Sequence, residues 1–369
     1  MAVRVVLQRR RIEPTLRWHT TGGTVRPLHV AVKDSVLTIQ SASPEAWRKT
    51  TLPLDGHDYV DGDARFVAAR VLAQMKASSR SDSLTLESDG GVVSAWLGHS
   101  RATIPTMADI PGFWAPVEPV RSHAEVNADD LAWAIKAAAN AAAPRRHKAA
   151  EMLKAIRVCV DANTMQVSGT DSYRLAQAAL TCRGLDSPVD KLVHPDALVS
   201  ATAIMDDPVH VVTSGDHHLG LSDNTHTLLT ASLAEQGADV SAALNHATQV
   251  DQHAATTSDD LRRALAAIGS PHLGQVELTF GRGTLQVANR TGGEPEDRTE
   301  VSLSADIDGL EGRTVTVNAA SLACLCAAVR TKGVDLGVNS TRHNCPLVVR
   351  EDAPRRDTQY LGALAMVQR

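Results

Sequence analysis

Ser172, His217, His218, His226 and five cysteines are the residue types here that could carry covalent or metal chemistry, and their spacing argues against it. Ser172 lies in VSGTDSYRLA (167–176), without the Gly-x-Ser-x-Gly flanks of a nucleophile elbow and with no evident histidine partner. His217 and His218 are adjacent, so on a strand they point to opposite faces and cannot share an ion. With His226 they read as exposed hairpin histidines. The cysteines, at 159, 182, 324, 326 and 345, include no Cys-x-x-Cys pair, and Cys324 and Cys326 sit in an Ala/Leu-rich run as structural thiols. No phosphate loop, no Gly-x-Gly-x-x-Gly opening a helix and no His-Glu-x-x-His is present. No catalytic residue, metal or cofactor is expected. What remains in VSGTDSYRLA is a strand, a turn of Gly169, Thr170, Asp171 and Ser172, and then an aromatic, a cation and an aliphatic (Tyr173, Arg174, Leu175). It reads either as the core of a hairpin or as the rim of a pocket.

The cations are better placed than the nucleophiles. Helical segments carry Arg9, Arg10, Arg11 and Arg17, then Arg70, Lys76 and Arg80, then Lys136 with Arg145, Arg146 and Lys148 just beyond. Arg262, Arg263, Arg330 and Lys332 follow in the last third, whereas acids gather in the loop and strands from Glu294 to Glu311. Net charge is −5, but binding depends on local patches rather than on the sum. A solvated helix face explains any one of these groups; their recurrence points to a phosphate-facing surface. With 3% aromatic residues no stacking ladder accompanies the cations, so contact with a duplex through its backbone fits better than single-strand binding.

The elements that must position these residues recur. Helix patterns appear in VVLQRRRIEPTLRWHTT, NADDLAWAIKAAANAA and TSDDLRRALAAIGSP, the last two opening on Asn127 or Ser258 as N-cap with acids in the first turn. A second set, from Asp63, His194 and Asn318, is followed each time by alternating strands around turns such as Asp89-Gly90 and Gly215-Asp216. The unit helix–strands–helix–strands thus occurs three times at a spacing of about 125 residues. The expected fold class is α+β: three tandem copies, helices packed on antiparallel sheets, with domains 1–119, 120–248 and 249–369. The chain has 369 residues, 43% of them apolar, and no apolar run approaches the ~20 residues of a membrane span. The N-terminus lacks a signal-peptide core. A reducing, cytoplasmic setting is expected. Open sheet edges in such units must be paired or blocked, and a closed array would pair them all.

VSGTDSYRLA resembles the Thr-Asp-Gly-(His/Tyr)-Arg-Leu-Ala signature in the middle domain of bacterial DNA sliding clamps, the β subunit of the replicative polymerase. HSRATIPTMADIPGFW (99–114) is similar to the end of that family's first domain, MLKAI (152–156) to its Leu-(Asn/Lys)-Gly strand start, and PLVVREDAPRRDTQYLGALAMV to its last hairpin. The resemblance covers nearly the whole chain in register. It implies a head-to-tail homodimer closed into a ring, helices lining the hole, around double-stranded DNA without sequence preference. DNA polymerase, clamp loader and repair proteins would dock by short peptide motifs. The implied slot uses Leu153, Thr170, Ser172, Tyr173, Arg174 and Leu175 with Leu361, Ala363 and Leu364. Ile110 and Ile268 fall at the implied dimer contact, and Arg26 near a DNA-touching loop. The sequence departs from the family in three places: Ser172 replaces a glycine, the chain ends Ala-Leu-Ala-Met-Val-Gln-Arg, and 234–245 lacks Pro-Asp-(Tyr/Phe). These departures leave a second reading, a diverged scaffold or decoy that no longer tethers the main polymerase.

Overall fold

The computed structural model describes residues 3–366 apart from 22–26, 55–57, 78, 80–81, 109–118, 185–186, 235–239, 241–243, 246–248, 269–273, 290–297, 341–345 and 353–356. Six helices appear among them: α1 (Arg9–Thr20), α2 (Ala69–Ala77), α3 (Ala128–Ala141), α4 (Pro195–Thr202), α5 (Ser258–Ala267) and α6 (Ala319–Ala328). Capping explains several starts. Asn127 Oδ1 accepts from Asp130 N at 3.1 Å and Asn318 Oδ1 from Ser321 N at 2.9 Å. The cap of α5 is Thr257, whose hydroxyl accepts from Asp260 N at 3.1 Å, one residue before the expected Ser258.

The helix-and-strands pattern is present, with one element the sequence reading lacked. Each helix is entered directly from a short strand: Val3–Gln8, Gly62–Val67, Val120–Val126, Val189–Val193, Gln252–Thr257 and Thr314–Asn318. The segment from Asp63, expected to be helical, is therefore strand to Val67 and helix only from Ala69. The repeat is a lead strand, a helix and a three-stranded meander, and among the described residues it occurs six times. Lead strands are exchanged between neighbouring repeats. Val3–Gln8 pairs with Ser83–Ser88 of the second meander, and Gly62–Val67 with Pro27–Lys33 of the first. The same exchange joins Val120–Val126 to Val209–Ser214 and Val189–Val193 to Ile156–Asp161. It also joins Gln252–Thr257 to Gly333–Val338 and Thr314–Asn318 to Gln275–Phe280.

The last strands of the meanders then pair with one another. Ala46–Pro53 pairs with His226–Ala231, and Arg174–Thr181 with Thr358–Leu364, which makes two nine-stranded sheets. The remaining two, Ser100–Pro105 and Glu300–Ser304, end smaller sheets. Ala305 N donates to Gly283 O and Asn289 N to Thr299 O, so Val301 and Leu303 aim their backbone groups into the sheet, and Glu300, Ser302 and Ser304 aim theirs outward. By the same alternation from Thr106 N to Gly91 O, Arg101 and Thr103 face outward on the other edge.

Contacts divide the chain into two compact units, residues 1–132 with 183–187 and 193–234, and residues 133–182 with 188–192 and 235–369. The first has a core of small aliphatics around Ile12, Leu16, Phe66 and Met75; the second is built around Leu261, Leu278, Phe280 and Leu325. No described helix is long and apolar enough to cross a membrane. In the second unit α3 lies against α6: Trp133 Nε1 donates to Ala328 O at 2.7 Å, and the Arg330 guanidinium sits 5.2 Å from the Trp133 ring centroid. Strand 164–170 approaches α3 so closely that a Cβ on Gly169 would stand 2.1 Å from Ala138 O. Only glycine fits there, and it fixes the position of the turn that follows.

Candidate functional site

Thr170 to Arg174 form a closed turn. Asp171 Oδ1 accepts from Tyr173 N at 3.0 Å and Arg174 N at 2.9 Å, and its Oδ2 pairs with Arg174 Nε at 3.0 Å. Thr170 Oγ1 donates to Arg174 O at 2.8 Å and accepts from Ser172 N at 3.1 Å. The types Thr-Asp-x-x-Arg are needed because one hydroxyl and one carboxylate satisfy the turn's backbone from inside. Arg174 thereby serves the turn. Tyr173 stands out from it, 73% exposed, and its carbonyl accepts from Ala365 N at 2.8 Å, which ties the turn to the C-terminal strand.

Ser172 holds the turn at φ +77°, the left-handed region where a side chain is disfavoured. Ser172→Gly is expected to stabilise the protein by roughly 1 kcal/mol, read as a higher urea midpoint at unchanged slope. A lower or unmoved midpoint would mean that the serine hydroxyl outweighs the strain.

Behind the turn lies an apolar group of Leu175, Val348 and Ala363, with Val240, Leu244, Val250 and Leu361 packed on it half-buried. Leu153 is half-buried in the short 3-10 turn Glu151–Lys154, where its carbonyl accepts from Ala143 N at 2.7 Å. Strand alternation separates the expected slot residues. Leu361 and Ala363 face this group, whereas Tyr360 and Leu364 point into the main core, where Leu364 is 1% exposed. Leu364 is thus not on the slot side. Val240, Leu244, Val250 and Val348 were missed by sequence reasoning. Period-two alternation through Leu347–Glu351 could have offered Val348; nothing marked Val240 and Leu244, which stand between stretches without a readable pattern.

The thiols beside this region are not primed for reaction. Burial pushes Cys326 up to about 12 and raises Cys324, and it raises the buried Tyr360 hydroxyl as well. Among the described residues no cluster of three metal-ligating side chains occurs.

The cations divide into two sets. Arg10, Arg70, Lys76, Lys136, Arg145, Arg146, Lys148, Arg262, Arg263 and Lys332 are exposed, and Arg330 is half-buried. Arg9, in contrast, is buried, its Nε 2.8 Å from Glu13 Oε2, and Arg17 pairs with the same carboxylate at 2.5 Å. Those two hydrogen bonds hold the Glu13 carboxyl below its usual range. The α5 arginines are matched by the acids of their own first turn, Arg262 with Asp259 and Arg263 with Asp260. Exposed pairs of this kind are weak and a phosphate can displace them. Arg70 Nη1 donates to Thr103 O at 3.0 Å, on the outward side of the open edge. Ile268 is 4% exposed in the core beneath α5. Arg26 and Ile110 lie outside the described residues.

No protein-family model matches the chain, and no curated protein matches it in sequence. Solved structures do match in shape. A DNA polymerase sliding clamp from Pseudomonas aeruginosa is 17% identical, with a TM-score of 0.81 and full coverage of both chains. A Helicobacter pylori β clamp in complex with diflunisal is 16% identical at a TM-score of 0.82, covering 99% of this chain and 100% of that one. The H. pylori β clamp bound to a DNA ligase peptide is 16% identical at 0.81, with the same coverage. The chain has the fold of these clamps from end to end.

Proposed function

We propose that this chain is a DNA sliding clamp. Two copies close into a ring around duplex DNA, and the slot behind Thr170–Leu175 tethers polymerase, loader and repair proteins through short peptides. The observation that carries the reading is the strand bookkeeping. Among the described residues, four of the six meanders pair last strand to last strand, and the two left over, Ser100–Pro105 and Glu300–Ser304, belong to the first and last thirds of the chain. Pairing each with the other edge in a second copy satisfies both at once and closes a head-to-tail pair. On this reading the domains are 1–119, 120–248 and 249–369, one per pair of repeats. Ile268 supports the edge from behind as core, and the Arg70 guanidinium must yield the Thr103 carbonyl when the edges meet.

The DNA-facing surface is read as Arg10, Arg70, Lys76, Lys136, Arg145, Arg146, Lys148 and Lys332, with Arg262, Arg263 and Arg330 able to exchange their present partners for phosphates. Topology supplies retention, so these contacts need only be weak and indifferent to base sequence. The H. pylori clamp bound to a DNA ligase peptide supports peptide recognition by this fold. No bond is made or broken by the protein itself.

Loading onto a nicked circular duplex tests the reading. The protein should stay on the circle through a wash in high salt and leave within the dead time once a single cut linearises it. Release from the intact circle at the same rate would show simple electrostatic binding and refute encirclement.

A further inference from the structure

Within the first unit, a buried polar cluster lies where Ala46–Pro53 pairs with His226–Ala231, in register His226 with Thr50 and Leu228 with Arg48. His19, at the end of α1, is 0% exposed; its Nδ1 stands 2.8 Å from Ser41 Oγ and its Nε2 3.0 Å from Thr50 Oγ1. Trp18 packs edge-on to His19 at 5.0 Å and to His226 at 5.5 Å. Arg48, 2% exposed, places its guanidinium 5.8 Å from the Trp18 ring centroid, while its Nε and Nη1 find no hydrogen-bond acceptor. His226 Nδ1 lies 3.4 Å from the buried Asp223 Oδ2. Burial pushes that carboxyl up, but the hydrogen bonds from His226 and from the backbone N–H groups of His226, Asp206 and Thr225 outweigh it and leave it below the usual range. Asp223 therefore stays ionised and is already committed to these donors.

We propose that this joint is an acid-released seam, held shut by a neutral His19. A charge on His19 would sit in a sealed site with His226 beside it, only hydroxyls as hydrogen-bond partners, and Asp223 occupied. Glu13, the carboxylate on the same helix, is taken by Arg9 and Arg17 and does not offset it, while Lys49 alternates to the opposite face of its strand and Arg4, Arg70 and Lys76 are exposed. Two hydroxyls that can each donate or accept suit the neutral ring and give no counter-charge. Burial, with His226 beside it, holds His19 down at about 3. The sign follows. The closed seam disfavours the protonated ring, so closure is fully favoured above the pKa of an open imidazole, about 6.5, and is lost as pH falls below it. Between pH 7.5 and 5.0 the open population should rise about 30-fold through this one group.

Hydrogen exchange of the backbone amides in 46–53 and 226–231, corrected for intrinsic rate, reads that population. The expected result is an about 30-fold loss of protection in the seam from pH 7.5 to 5.0, little change in Gln275–Phe280 and Thr284–Asn289, and a flat seam profile in His19→Gln. Seam protection that ignores pH, a profile that persists in His19→Gln, or a parallel loss in the control strands overturns the proposal. Should His19→Gln not fold, the ring can be followed directly by NMR in the native chain. A His19 Cε1 signal still neutral at pH 5 supports the seam, and one titrating near 6.5 refutes it.

Discussion

Ser302→Pro should leave the chain folded and abolish the proposed pairing with a second copy. Ser302 lies in the middle of the open edge Glu300–Ser304, is exposed, and turns its N–H away from its own sheet, as the bonds of Ala305 and Asn289 on either side require. Proline there costs the chain none of its own ladder bonds. In the paired state it removes a central donor and pushes its ring into the incoming strand. A weakening of about 3 kcal/mol, or at least 100-fold in the dimer dissociation constant, is expected. Sedimentation should show a monomer at concentrations where the parent is expected to dimerise, with the melting temperature of the monomer unchanged and Ser302→Ala behaving as the parent. A Ser302→Pro protein that still dimerises would remove this edge from the interface.

Leu361→Asp should destroy the proposed peptide binding without touching the proposed ring. Leu361 is half-buried on the slot side of the C-terminal strand, beside Ala363 and the group formed by Leu175 and Val348. In the free protein a carboxylate at this position keeps its water. A docked apolar peptide would have to strip that water away, a loss that Arg350, opposite Leu361 on the neighbouring strand, offsets only in part. The cost is about 3 kcal/mol or more, at least 100-fold in affinity, whereas the volume-conserving Leu361→Met should stay within a few-fold. Fluorescence polarisation with a labelled ligase-type peptide measures both, and retention on nicked circles should be unaffected. Equal binding by parent and Leu361→Asp would mean that the slot is only a satellite of the core.

The sequence carried the helices plainly, because Asn127 and Asn318 cap them and Asp129 and Asp130 mark a first turn. It hid the lead strands. Val3–Gln8 and Gln252–Thr257 are short and run into their helices without a turn residue, so their alternation merges with the helical period. The turn at Thr170–Arg174 was legible because its hydrogen bonds are local, made between residues at most four apart. Facing was not legible where it depends on the fold. Arg9 reads as one more cation of an RRR run, yet the helix turns it onto Glu13 and buries it. Leu364 follows Ala363 in the motif-like tail, but strand alternation delivers it to the core. Val240 and Leu244 reach the slot from a stretch whose sequence shows no period at all.

The exchange of lead strands has a consequence for how such a chain can grow or be cut. A single repeat excised at its natural ends would own a three-stranded meander with its first edge bare and a lead strand with nowhere to lie. Two neighbours are the smallest piece in which every lead strand finds its host. Gene segments encoding such a fold can therefore be gained, lost or shuffled only as couples, and a break placed between Lys76 and Ser83 should leave the first couple divided between two fragments, its halves recovering structure only by finding each other.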